Sequence, residues 1–167
     1  MPSGTASFGS PPATGTLGGG EIVEVFVANE QEIPVSEARL SALARHALDC
    51  LEVDGAAELS VLLITADHMR RLNARFAGED EATDVLAFPM MEEEEEEEGS
   101  LLLGDVVVCP EVARTNAQAQ RHPLEQELEI LLVHGTLHLL GYDHQGVEDK
   151  SKMDERLAQV ITSFQSE

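Results

Sequence analysis

Three of the six histidines, His134, His138 and His144, fall within the single segment VHGTLHLLGYDHQ at 133–145. Four residues advance an α-helix by about 400°, so His134 and His138 present their imidazoles on one side, one turn apart. Gly141 is a helix stop signal, and His144 follows on the returning chain. Two imidazoles on one helix face and a third after the turn form the ligand pattern of a metal centre that keeps one position open for water. One Zn²⁺ per chain is the expected occupant, because imidazole suits it, although Ni²⁺, Cu²⁺ and Fe²⁺ accept the same ligand type. The competing reading has the three histidines packing a core or ending a helix, and their joint spacing favours the metal.

The residue after His134 bears on the reaction. In an H-E-x-x-H metalloprotease that position carries the general base, whereas here it is Gly135. The expected nucleophile is then a zinc-bound water whose pKa falls toward about 7, with no side chain identified as its base. Alternatively the metal polarises a phosphoryl oxygen while another group attacks. Asp143, between Tyr142 and His144, is placed either to accept an imidazole N–H and orient a ligand or to face solvent on the turn.

These groups need a scaffold. A chain of 167 residues, 43% hydrophobic but only 4% aromatic and without Trp, suits one domain with a core of Leu, Val, Ile and Ala. Alternating β-branched runs predict strands at 21–28, 58–65, 83–90 and 101–109, with Pro89 confining the end of the third to an edge. Helical periodicity predicts helices at 36–51 with Ser36 as N-cap, 67–77 ended by Gly78, 110–120 with Pro110 in its first turn, 124–140, and about 146–163. The last of these turns Met153, Leu157, Val160, Ile161 and Phe164 inward. Strands and helices in this order suggest an α+β or α/β sandwich. Residues 1–20, rich in Gly, Pro, Ser and Thr, read as a disordered tail ahead of a single domain at 21–167. The seven glutamates 92–98 read as a solvated acidic loop.

Cys50 and Cys109 lack CxxC spacing and read as reduced core residues. The longest apolar run, 131–142, is shorter than the roughly 20 residues of a membrane span. With Arg39 the first basic residue, no secretory or transit signal is expected, and a cytoplasmic location is. The formal charge of −22 argues against free association with nucleic acid, whose affinity comes from cations meeting phosphates. An RNA-directed function must concentrate its few cations. Arg70, Arg71 and Arg75 share one short helix and Arg114 lies near the start of another, so Arg71, Arg75 and Arg114 are the substrate-binding candidates. Each of these arginines could instead be a solvated partner of Asp67, Glu79 or Asp80.

HGTLHLLGYDH at 134–144 closely resembles the H-G-x-L-H-L-x-G-Y-D-H signature of the bacterial YbeY endoribonuclease family. LN at 72–73, TDVLAFP at 83–89 and LGDVVVCPE at 103–111 look like the family's other blocks in the same order. The resemblance implies a single α+β domain with a small, mostly parallel four-stranded sheet, about five helices and a zincin-like metal helix. It implies a single-strand-specific, metal-dependent endoribonuclease acting in 3′-end maturation of small-subunit ribosomal RNA and in ribosome quality control. It carries the zinc ligands onto His134, His138 and His144, and makes ribosomal RNA and the ribosome or assembly factors the partners, with neither DNA nor membrane among them. Two positions depart from the pattern: Ala77 stands where relatives often have arginine, and Ala87 where they commonly have serine. Arg75 lies about 200° around the helix from position 77 and does not inherit the arginine's role. Two other functions compete: a non-catalytic ribosome-assembly factor stabilised by zinc, which the charge and Ala77 favour, and a zincin-like peptidase, which Gly135 opposes.

Overall fold

Along residues 57–64, buried Ala57, Leu59, Val61 and Leu63 alternate with partly exposed Glu58, Ser60 and Leu62. A period of two with one side closed is the mark of a strand in a sheet whose faces are unequally covered. The structure, a computed structural model, describes residues 13–17, 21–53, 56–90, 101–142 and 146–166. The rest of the expected tail, the glutamate run 92–98, and Asp143 and His144 lie outside the described residues.

The chain runs β1 (Ala13–Leu17), β2 (Glu21–Glu30), α1 (Glu37–Cys50), β3 (Ala57–Ile64), α2 (Ala66–Ala77), β4 (Val85–Pro89), β5 (Leu101–Val108), α3 (Pro110–Gln120), α4 (Leu124–Leu139) and α5 (Val147–Gln165). One sheet has the order β1-β2-β3-β5-β4. β2, β3 and β5 are parallel, and β4 joins β5 antiparallel. The expected α+β arrangement is therefore present, and β4 with Pro89 is an edge strand.

The four expected strands are β2 to β5, and a further strand lies ahead of them. Residues 13–17 of the expected tail form β1, antiparallel to β2, which makes five strands. ATGTL has little apolar periodicity, and its pairing rests on backbone groups that satisfy the otherwise open edge of β2.

Helices α1 and α4 pack on one face of the sheet, and α5 packs on both of them. In α1 the Ser36 hydroxyl accepts the Arg39 N–H at 3.2 Å, and Leu43, Ala44, Ala47 and Leu48 point into the core. Met153 and Val160 of α5 are buried, with Leu157, Ile161 and Phe164 partly so, as the periodicity predicts. Among the described residues no helix is long and apolar enough to cross a membrane.

Helix α4 is the most enclosed of the helices. It meets α1, α3, α5, β4 and β5, and it buries two carboxylates, Glu127 and Glu129. Glu127 takes a 2.6 Å bond from His122 Nε2, and Glu129 a 2.5 Å bond from Arg39 Nε. Such partners offset the desolvation of buried charges. A Cβ at Gly135 would stand 2.7 Å from Val106 Cγ1 and 3.4 Å from Val85 Cγ2. Helix α4 thus lies directly on β5 and β4, and the position where a zincin carries glutamate has no room for any side chain.

Gly135→Ala should destabilise the fold by about 1–2 kcal/mol in chemical denaturation, because overpacking outweighs the helix propensity gained. Combining it with Val106→Ala should cost less than the sum of the two, read by a double-mutant cycle. Arg39→Ala should cost about 1–3 kcal/mol by leaving Glu129 buried without a partner. A chain carrying both Arg39→Ala and Glu129→Leu should recover most of that loss in the same measurement.

Candidate metal centre

Between residues 131 and 138 of α4 only His134 and His138 are not buried. Their Nε2 atoms lie 3.1 Å apart, and the rings stand 4.7 Å apart at 68°. Two nitrogens each about 2.0–2.1 Å from a tetrahedral ion would be about 3.3 Å apart, so this pair fits one shared cation. Among the described residues no group of three His, Cys, Asp or Glu side chains could hold a metal. Two of the three expected ligands are therefore brought together, and the third, His144, lies outside the description.

Gly141 reverses the chain beyond the pair. Its φ of +96° is readily open only to glycine, its N–H donates to the His138 carbonyl at 3.0 Å, and the Tyr142 N–H donates to the Leu137 carbonyl at 3.0 Å. These two bonds are the paired closure of a Schellman turn. Tyr142 packs partly buried against the core. A recess of about 240 Å³ beside the turn is lined by Leu140, Gly141, Tyr142, Asp149 and Lys152.

The arginines are dispersed. Arg70 binds Asp80 at 2.8 Å and Asp67 at 3.5 Å, and Arg71 binds Asp67 at 2.8 Å, the solvated pairing weighed from the sequence. Arg75 lies 5.2 Å over the ring of Phe76. Arg114 lines a separate open groove of about 650 Å³ that also carries Glu30, Glu32 and Glu111.

Other groups were not singled out from the sequence. Buried Asn73 donates through Nδ2 to the Glu81 carbonyl at 2.9 Å and so holds the segment leading into β4. Asp84 accepts from Asn116 Nδ2 at 3.2 Å and, through its carbonyl, from the Cys109 N–H at 2.9 Å. The available signals were the LN and TDV motifs. Asp105, a lone acid inside an apolar strand, was another. Burial pushes its carboxyl above the ordinary range while a Ser60 hydrogen bond pulls the other way. Both cysteines are free. Cys109 is buried, which raises its thiol, whereas Cys50 is only partly buried, with Sγ 3.3 Å from His46 Nε2.

A family model described as Endoribonuclease YbeY matches residues 26–165. An Endoribonuclease YbeY from Salinispora tropica is 44% identical over 153 residues, covering 86% of this chain and 98% of that relative. Another, from a Parafrankia species, is 50% identical over 137 residues, covering 77% of this chain and 86% of the relative. A solution structure from Thermotoga maritima superposes with a TM-score of 0.58 at 28% identity, covering 85% of this chain and 92% of that one. With the two converging imidazoles, the helix stop behind them and these matches over most of its length, the chain belongs to the Endoribonuclease YbeY family.

Proposed function

We propose that the chain cuts single-stranded ribosomal RNA with one Zn²⁺ held by His134, His138 and His144, in 3′-end maturation of the small-subunit RNA and in ribosome quality control. The observation that supports this most directly is the 3.1 Å Nε2 pair on the one accessible stripe of a buried helix. His134 and His138 would bind through Nε2, His144 would close the ligand set, and Asp143 would orient an imidazole. When bound, the ion supplies Lewis acidity toward a phosphoryl oxygen and a water activated near neutral pH. The protein's own part is to aim the imidazoles and to bind the RNA backbone. Arg71, Arg75 and Arg114 are the proposed phosphate contacts.

The closed space at Gly135 favours this reading over a peptidase, since the helix has nowhere to put the base that peptide hydrolysis uses there. A net charge of −22 makes unaided capture of RNA slow, so contacts with the ribosome or an assembly factor would deliver the enzyme to its site, in the cytoplasm.

Protein purified without chelators should hold one metal ion per chain, and His138→Ala should lose both the ion and more than about a hundredfold of single-stranded RNA cleavage while still melting cooperatively. Undiminished cleavage by metal-free protein overturns the reading. Ala77 is exposed at the end of α2, so Ala77→Arg should leave stability unchanged and raise the cleavage rate by about tenfold through a charge-assisted phosphate contact, read in the same assay.

A further inference from the structure

Four residues from four strands line up on the sheet face turned away from α1 and α4. Phe26 of β2 is in register with Ser60 of β3, Ser60 with Asp105 of β5, and Asp105 with Phe88 of β4. Residues opposite one another in register project to the same face. Helix α2 covers the neighbouring part of this face, setting Met69 and Leu72 in one cluster with Ile64 and Val107, while all four residues of the row keep some exposure. Phe76, on the last turn of α2, extends the row. It is 50% exposed, and its ring lies 5.3 Å from that of Phe88 at 69°. The core is aliphatic, and none of the described phenylalanines is fully buried.

We propose that this face is a base-stacking subsite for single-stranded RNA, with Phe76, Phe88 and Arg75 as its platform and Ser60 and Asp105 meeting base edges. The inference rests on the ribonuclease reading and adds to it a place where nucleotides are held. Aromatic rings with a guanidinium beside them are the usual platform for unpaired bases. Arg75 lies over Phe76 and takes part in none of the described ion pairs, whereas Arg70 and Arg71 on the same helix make exposed pairs with Asp67 and Asp80. An apolar protein surface laid here would bury Arg75 without an ion-pair partner and strip water from an Asp105 carboxyl whose described partner is Ser60, at a high desolvation cost. A nucleotide instead offers a π face to the rings, an amino group to the carboxylate and a phosphate to the arginine. β4 is the sheet edge, and α4 packs against it. A single strand lying across the rings and over that edge is led toward the helix that carries His134 and His138.

The chain has no Trp, so Phe76→Trp installs a sole indole reporter. Its fluorescence should be quenched by a single-stranded RNA of about ten nucleotides and left unchanged by an abasic oligonucleotide of the same backbone. In a His138→Ala background, which spares the probe, Phe76→Ala should weaken RNA binding about tenfold with unchanged melting, and Phe76→Tyr should restore it. An indole that stays unquenched on bound RNA, or an affinity insensitive to Phe76→Ala, overturns the subsite. If the unaltered chain still cleaves RNA in that case, only this inference falls. If the unaltered chain neither binds nor cleaves, the ribonuclease reading falls with it.

Discussion

The contact between Gly135 and the side chains of Val106 and Val85 sets the geometry of the rest of the molecule. It fixes how closely α4 lies on the sheet and, because a helix turns by about 100° per residue, it also fixes the rotation of α4 about its axis. With position 135 against β5 and β4, positions 134 and 138 fall about 100° and 60° to the same side of the contact line, away from the strands. The imidazoles share a side because they stand four residues apart, and the tight contact at position 135 sets which way that side faces. The same contact leaves no room there for a protease-like glutamate.

The acidic composition is managed locally. Two of the many carboxylates sit inside the fold beside α4, each matched by one nitrogen partner, His122 or Arg39. Three of the arginines stand on one short helix, where two make exposed pairs with aspartates and the third rests on a phenylalanine ring. Net charge thus describes how the molecule meets a polyanion at long range, and the placement of single unpaired cations describes what happens at contact.

Much of this was legible in the sequence because it is carried by local periodicity. Helix faces, the Ser36 cap, the stop at Gly78 and the imidazole pair depend on residues within four or five positions of one another. The features that were not legible depend on residues far apart in the chain. β1 could not be read from ATGTL because its stability lies in the open edge of β2. The burial of Glu129 has no local signal because its partner Arg39 stands 90 positions away on another helix. The row Phe26, Ser60, Asp105 and Phe88 exists only once the strand order β2-β3-β5-β4 is known.

The Schellman turn behind α4 has a thermodynamic consequence. It pins Tyr142 to the core, and α5 starts at Val147 with Gly146 as its cap, so only residues 143–145 join two anchored points. Helix α5 in turn packs on α4, the helix that carries His134 and His138, with Met153 and Val160 in the same core. Occupancy of the metal site and docking of the last helix would then behave as linked equilibria. An ion that engages the imidazole pair of α4 would draw on the packing of Met153 and Val160, and a chain whose last helix frays would lose affinity for metal without any change in that pair.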